Sequence, residues 1–313
     1  MVKFYGLSKR AWVRHRKEEF AAVNKIGIIV NADDFGRHEL INGAVREGCQ
    51  NGLIRSATLM VMGNAFADAV KTAKELPELG VGVHLTVVDG TPILAPKQIP
   101  SLIDPKTGRF YADHGAFVKA YAKGKIRMSD VRHEWEAQIE KFLASGLIPT
   151  HVDSHQHMHV LPGLIDVALD LCARYMIPAM RIPSIPVDLR QTTLKNLGEQ
   201  IGRTGLHVLA ERARKKAKAF QLVVPDAFGG IVAGRAVDKK TIRQILLSHY
   251  QGVTEIMVHP GLDDAILSAD AHWDHSFETE LAAVTDEGNR SICEALSIHV
   301  MNFRDLVEER KQP

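Results

Sequence analysis

Short apolar runs alternate with amphipathic stretches along most of the 313-residue chain. Continuous apolar runs predict buried strands, and apolar residues that recur every three or four positions predict helices. The predicted strands cover residues 25–30, 56–62, 81–88, 150–159, 179–183, 221–224, 255–258 and 298–302. The predicted helices cover residues 39–50, 65–76, 129–145, 164–175, 194–218 and 241–250.

This alternation predicts an α/β fold in which parallel strands are joined by right-handed crossovers. Seven or eight strand–helix units favour a closed or nearly closed (β/α) barrel. A doubly wound open sheet is the alternative, although no GxGxxG loop follows the first strand. Residues 25–313 show no break in composition and are expected to form one domain, whereas the basic residues 1–24 are expected to extend outside it. Residues 89–109 are rich in Pro, Gly and Lys and predict a long loop, a common site of lids and binding segments.

Charge, cysteine content and hydropathy limit the classes of partner and compartment that the protein is expected to have. The 39 basic and 37 acidic residues give a net charge of +2, so no global field favours nucleic acid as a partner. The three cysteines are far apart and form no CxxC pair, which is typical of buried thiols in a reducing compartment. Without a transmembrane-length apolar run or a secretory signal, the protein is expected to have no integral membrane segment and to be cytoplasmic. The sequence leaves a homodimer open.

Polar clusters stand at the predicted carboxyl ends of four strands: Asp33–Asp34, His84, the run 151–159, and His259. Active sites of (β/α) barrels lie at this end of the strands. Four of the 15 histidines fall within residues 151–159. Four clusters at one rim indicate a single site more strongly than any one of them does alone.

The run 151–159 predicts metal ligands. Alternate side chains of a strand share a face, so alternate residues of the run, Asp153 and His155 among them, are expected to project the same way. The strand is expected to end near His155, with His157 and His159 in the following loop. A carboxylate with two imidazoles leaves coordination positions free for water and substrate. A structural cluster of histidines is the alternative, and a lone histidine such as His84 in an apolar strand is more often a core residue.

Asp33 and Asp34 are adjacent and point in different directions, so one carboxylate can bind a metal while the other serves as a general base. A polar turn that caps the next helix is the alternative. His259, before a Pro-Gly turn, suits either a general acid for a leaving amine or a histidine that caps its strand. Arg181 is expected to bind a substrate oxygen or to orient Asp33, unless it is an ordinary ion-pair partner.

Four short motifs, in order, resemble those of the ChbG/YdjC carbohydrate deacetylases: NADDFG at 31–36, GVHL at 82–85, THVDSH at 150–155 and VHPG at 258–261. The resemblance extends from about residue 25 to residue 305. It implies a distorted (β/α) barrel of the glycoside hydrolase and deacetylase type, related to the polysaccharide deacetylases. It also implies that Asp34, His84 and His155 bind one divalent ion, Mg²⁺ or Zn²⁺. Asp33 is then the base, and His259 is the acid.

The resemblance implies a metal-dependent hydrolase that removes an N-acetyl group from an amino sugar and releases acetate. Asp153, His157 and Arg181 are expected to bind this substrate, an N-acetylglucosamine-type oligosaccharide or glycolipid. Residues 88–93 (VDGTPI) and 259–264 (HPGLDD) resemble the hopanoid-associated branch of the family, which acts on a sugar-bearing polycyclic lipid.

Two other classes of function stay open. A glycoside hydrolase would use Asp33 and Asp153 as a pair of carboxylates across the glycosidic bond and would need no metal. A non-catalytic sugar- or metal-binding protein would explain the histidines, but it would not explain a second carboxylate beside Asp34.

Overall fold

The strands at the centre of the molecule are apolar and buried on both faces, as expected of parallel strands that helices cover. The computed structural model describes residues 26–184, 197–230, 236–248 and 252–311. Its strands are β1 (Gly27–Phe35), β2 (Ile54–Leu59), β3 (Gly80–Leu85), β4 (Val152–Ser154), β5 (Ala227–Gly229), β6 (Val253–Val258) and β7 (His299–Val300). All 9 residues of β1 are buried, so this strand lies at the centre of the sheet.

Helices follow most strands and lie outside the sheet. They are α1 (Glu39–Asn51), α2 (Phe66–Glu75), α3 (His114–Ala122), α4 (Met128–Ala144), α5 (Leu164–Arg174), α6 (Leu197–Ala219), α7 (Lys239–Leu247), α8 (Asp264–Ala271), α9 (Phe277–Val284), α10 (Glu287–Ala295) and α11 (Phe303–Lys311). Short 3₁₀ helices cover Pro100–Leu102 and His155–Val160. Aspartate side chains accept first-turn N–H groups at the starts of α3, α7, α8 and α10, which satisfies donors that a helix leaves unpaired.

The strand order is β4-β3-β2-β1-β6-β5, with parallel pairing throughout, and β7 pairs with the start of β1. Beyond β4 the pairing continues as parallel bridges, Val152 with Met180 and Ala179 with Val223. Because Val223 lies just before β5, and β5 pairs with β6, the sheet curls back on itself. The predicted α/β fold with a distorted barrel is confirmed in the described part of the chain.

The register of the strands brings the polar clusters to one rim. Ala32 of β1 pairs with Val258 of β6, so Asp33 and His259 follow at neighbouring positions. His84 of β3 pairs directly with Asp153 of β4. Since all these strands are parallel, their carboxyl ends face the same side of the barrel, where barrel enzymes place their catalytic groups.

Two predicted strands do not form, because residues 179–183 and 221–224 contribute only isolated bridges. β4 ends at Ser154, where a 3₁₀ turn follows with left-handed φ values of 51° at Gln156 and 57° at His157. The strand thus ends next to His155, where the sequence predicts its end, and His157 and His159 lie beyond it.

The predicted extension, residues 1–24, lies outside the described residues. The long loop expected at 89–109 is present, interrupted by one 3₁₀ turn and a bridge at Ile103. Among the helices in the described ranges, none is both long enough and apolar enough to cross a bilayer.

Candidate active site

Asp33 and Asp34, near the end of β1, are turned in different directions, as their adjacency predicts. Asp34 has a left-handed backbone conformation, with φ 59°, which aspartate adopts more readily than most residues. Its carboxylate faces His84 and His155, whereas that of Asp33 faces Arg181. Both aspartates are buried, with 3% and 5% of their surface exposed.

Asp34, His84 and His155 form a cluster, here called the ligand cluster, whose ligand atoms lie within 4.8 Å of one another. Asp34 Oδ1 lies 3.3 Å from His84 Nε2 and 3.0 Å from His155 Nδ1. This oxygen is buried without a well-formed hydrogen bond, as expected for an atom that is a ligand of a cation. The ligand type and spacing fit a divalent ion bound by one carboxylate and two imidazoles.

Each histidine of the ligand cluster has a carboxylate at its second nitrogen. His84 Nδ1 lies 2.7 Å from Asp153 Oδ1, and His155 Nε2 lies 3.4 Å from Asp89 Oδ2. Carboxylates placed in this way fix the tautomer and orientation of metal-binding histidines. Asp89 is itself held by Arg37, at 2.8 Å.

The ligand cluster carries strong electrostatic coupling. Burial lowers the pKa of His84, but the neighbouring carboxylates, Asp153 foremost, outweigh it and raise this pKa to about 10. Burial raises the pKa of Asp34, but His155 and His84 outweigh burial and hold it well below its ordinary value. The ionised carboxylate of Asp34 and the protonated ring of His84 thus stabilise each other. A divalent cation can supply this positive charge in place of the proton.

Arg181 lies under the rim and joins three buried carboxylates. Its Nη1 and Nη2 atoms lie 2.6 Å from the two oxygens of Asp33. Nη1 also lies 2.6 Å from Asp153 Oδ2, and Nε lies 2.6 Å from Glu255 Oε1. Burial raises the pKa of Asp33, but Arg181 outweighs burial and lowers it. Burial raises the pKa of Glu255 to about 7, against the opposing charge of Arg181.

Arg181 and Asp153, two of the residues expected to bind substrate, lie in the interior. Both are 0% exposed, and their polar atoms are directed at Asp33, Glu255 and His84. The same geometry opposes the glycoside hydrolase alternative. Arg181 Nη1 binds Asp33 and Asp153 together, so a guanidinium group stands where the glycosidic bond would have to lie.

The remaining histidines of the run 151–159 have different surroundings. His151 stacks on Phe303, with ring centroids 3.7 Å apart, and burial lowers its pKa to about 3. His159 lies 2.7 Å from Ser154 Oγ and 3.0 Å from the carbonyl oxygen of Arg181, and burial lowers its pKa to about 4. These two are core residues.

His157 is the exception, because it is partly exposed at the rim. It lies edge to face against Phe228, at a centroid distance of 5.9 Å, and burial of its ring lowers its pKa to about 3. A neutral imidazole in this position can donate or accept a hydrogen bond. Its expected contact with substrate therefore stays a prediction.

His259 follows β6 and is partly buried. Its backbone N–H donates to Glu280 Oε2, and its Nδ1 lies 4.0 Å from the same oxygen. Trp273 and His275 contact its ring edge to face, at centroid distances of 5.1 Å and 5.7 Å. The ring is thus held at the rim, one strand away from Asp33.

Sequence reasoning missed Glu255, Asp89 and Glu280. Glu255 interrupts the apolar strand VTEIMV as His84 interrupts GVGVHL, so the same signal could have found it. Asp89 and Glu280 lie in a loop and on a helix, where an acidic residue is ordinary and the sequence carries no distinguishing signal.

Comparisons with known proteins agree with this arrangement. Residues 27–295 match the sequence model of a family described as YdjC-like protein. The chain is 32% identical over 259 residues to a carbohydrate deacetylase of Geobacillus stearothermophilus, covering 82% of this chain and 89% of that protein. It is 31% identical over 280 residues to a carbohydrate deacetylase of Brevibacillus brevis, covering 89% and 99%.

Two further matches extend the comparison. A chitooligosaccharide deacetylase of Enterobacter sp. is 31% identical over 215 residues, which cover 64% of this chain and 81% of that protein. A crystal structure of an Enterococcus faecalis V583 protein named for cellobiose-phosphate cleavage superposes with a TM-score of 0.70. That protein is 27% identical, and the match covers 90% of this chain and 99% of that one.

Proposed function

This chain belongs to the YdjC-like protein family, and from that premise we propose that it is a metal-dependent hydrolase that removes the N-acetyl group from an amino sugar. The observation that carries the proposal is the ligand cluster, with its ligand atoms within 4.8 Å of one another at the barrel rim. Asp33, one residue away, is turned from the cluster toward Arg181 and can serve as the base. A binding protein would have no use for this second, oriented carboxylate.

Asp34, His84 and His155 would hold the ion. When bound, a divalent ion supplies Lewis acidity toward the acetyl carbonyl. Two imidazoles with one carboxylate favour Zn²⁺ over Mg²⁺, since Mg²⁺ prefers oxygen ligands. The neighbouring group Asp33, His84 and Asp153 also places ligand atoms within 4.8 Å. It suits a cation less well, because Arg181 already supplies a positive charge there.

Asp33 accepts the proton of the attacking water as the water oxygen bonds to the carbonyl carbon. Its Oδ2 accepts a hydrogen bond from Arg181 Nη1, and a carboxylate oxygen has a second lone pair for the proton of the water. Arg181 and Asn31 fix the orientation of this carboxylate, the latter at 2.9 Å from Oδ1. The base is therefore in place before substrate binds.

His259 donates a proton to the amide nitrogen as the C–N bond breaks, so acetate and a free amine leave. Unprotonated, the departing nitrogen would be an amide anion, which is a very poor leaving group. The position of His259 beside Asp33, on the adjacent strand, places acid and base on the same side of the rim.

The substrate is an N-acetylglucosamine-type oligosaccharide or glycolipid, and His157 contacts it at the rim. The curated relatives, named carbohydrate and chitooligosaccharide deacetylases, support the sugar. The lipid-linked form, a sugar-bearing hopanoid, rests on the resemblance of residues 88–93 and 259–264 to that branch of the family.

The test is acetate release by the full-length protein from N,N′-diacetylchitobiose, before and after chelation and after separate addition of Zn²⁺ or Mg²⁺. We expect chelation to abolish release and one of the two ions to restore it. Reducing-end formation is measured in the same samples. Cleavage of the glycosidic bond that survives chelation would favour a glycoside hydrolase. Tight sugar binding without either product would favour a binding protein.

A further inference from the structure

A second group of metal-binding side chains lies beyond β6. His259, His275 and Glu280, here called the rim triad, bring one ligand atom each to within 4.8 Å of one another. His275 Nε2 lies 3.0 Å from Glu280 Oε1, and His259 Nδ1 lies 4.0 Å from Glu280 Oε2. The proposed catalysis uses only His259, so it gives no reason for a histidine and a buried glutamate at this place.

Glu280 is held as a rigid ligand would be. Its side chain is 1% exposed. Oε1 accepts the N–H of Val237 at 2.8 Å, and Oε2 accepts the N–H of His259. A carboxylate has about four acceptor positions, so each oxygen keeps capacity for a cation. The backbone donors hold the carboxylate in place without neutralising its charge.

Trp273 restrains both imidazoles. Its indole stacks on His275, with centroids 3.8 Å apart, and contacts the ring of His259 edge to face. Rings held in this way lose little conformational entropy when they bind an ion. Trp273 is 41% exposed, so an ion from solvent can reach this part of the rim.

Two imidazoles and one carboxylate are the protein ligands of several zinc enzymes, where water fills a fourth position. With bonds of about 2.0–2.2 Å, tetrahedral ligands lie roughly 3.3–3.6 Å apart. The observed separations of 3.0 Å and 4.0 Å lie on either side of that range. We propose that the rim triad is a second zinc site, separate from the ligand cluster.

Occupation of this site opposes catalysis, a consequence that rests on the proposed function. An imidazole that binds zinc through Nδ1 cannot also hold the proton that makes it a cationic acid. The leaving amine then lacks its proton donor. Zinc beyond the first equivalent is therefore an inhibitor, and the enzyme is active over a limited range of zinc concentration.

Zinc bound to the full-length protein is counted by elemental analysis after equilibration at fixed free Zn²⁺. The wild type should bind two equivalents and His275→Ala one, with circular dichroism confirming the fold of the variant. The matched control is His272→Asn, an exposed histidine of the same loop with φ 48°, where asparagine tolerates the left-handed backbone. This control should retain two equivalents of zinc.

Co²⁺ provides a second measure, since binding of Co²⁺ beside Trp273 should quench indole fluorescence in the wild type.

A single equivalent in the wild type without Co²⁺ quenching overturns the proposal, and so does a second equivalent that persists in His275→Ala. Acetate release is then followed against added Zn²⁺, and inhibition beyond the first equivalent should disappear in His275→Ala. If two equivalents bind but no acetate is released at any zinc level, the second site stands and the deacetylase function fails.

Discussion

Arg181 binds Asp33 through two guanidinium nitrogens, each 2.6 Å from a different carboxylate oxygen, and Arg181 itself is fully buried. A paired contact of this kind fixes the plane of the carboxylate as well as its position. It also keeps the pKa of Asp33 below its ordinary value, although burial alone would raise it. Asp33, the proposed base, is thus ionised throughout the neutral range, and Arg181 contributes to its orientation together with Asn31.

The first prediction concerns the stability supplied by Arg181. Arg181→Met should lower the free energy of unfolding by about 3–5 kcal/mol, because it leaves buried carboxylates without their partner. Urea unfolding followed by circular dichroism measures this change. Arg46→Met is the matched control, since Arg46 pairs with Glu75 at an exposed position, 2.7 Å away, and should cost below about 1 kcal/mol. Equal costs at the two positions would mean that the buried network adds no stability.

The second prediction concerns the carboxylate behind His84. Asp153→Asn should weaken zinc affinity by about 10–100-fold, because an amide orients the ring less firmly and supplies no charge. Competition with a fluorescent chelator measures this affinity. Asp89→Asn is the comparison, since Asp89 lies 3.4 Å from His155 and is 24% exposed, and it should have a smaller effect. Unchanged affinity in Asp153→Asn would contradict the metal-supporting role.

The convergence of Asp34 and His84 could be predicted, because both lie at the ends of parallel strands that meet at one rim, and His155 directly follows a third such strand. Asp34 and His84 lie in the last residues of two buried strands, and the strand register aligns those ends. The full burial of Arg181 and Asp153 could not be predicted. Both depend on how the curled sheet directs side chains inward, and Arg181 lies in a segment that pairs only through isolated bridges.

The histidine run shows a second limit of the sequence. A period of two is a property of strands, and it ceases to hold where the chain enters a 3₁₀ turn. The left-handed φ values at Gln156 and His157 could not be foreseen, because neither residue is a glycine. His151 and His159 look like candidate ligands in sequence, but they are packed in the core.

The third prediction concerns acid stability. Burial lowers the pKa of His151 from 6.5 to about 3, so the folded protein keeps this ring neutral while the unfolded chain takes up a proton. Between these two pKa values the unfolded state therefore binds more protons than the folded state. The free energy of unfolding then decreases as the pH falls below about 6.5, by roughly 1.4 kcal/mol per pH unit for one such group. His151→Gln should reduce this slope.

The measurement is urea unfolding at pH 7 and pH 5.5 in the presence of a chelator, so that proton competition for metal does not contribute. His133→Gln, at an exposed position of α4, controls for the loss of an imidazole as such. A pH slope in His151→Gln that equals the wild-type slope would show that other groups account for acid sensitivity.

The last prediction separates the roles of the two adjacent aspartates. Asp33→Asn should keep the metal, because Asp33 faces Arg181 rather than the ligand cluster. Its acetate release should fall by about 10²–10⁴-fold, the usual contribution of a placed base. Asp34→Asn should instead lose metal affinity, because the oxygen that faces His84 and His155 loses its charge.

Elemental analysis and acetate release are measured on both variants, and activity is assayed again at saturating zinc to separate weak binding from a lost base. Extra metal should restore part of the activity of Asp34→Asn and none of the activity of Asp33→Asn, since only Asp34→Asn has a weakened metal site. A metal-free Asp33→Asn beside a fully loaded Asp34→Asn would reverse the assignment. Near-wild-type activity in both variants would reduce the pair to a polar turn, and the base would then have to be another group at the rim.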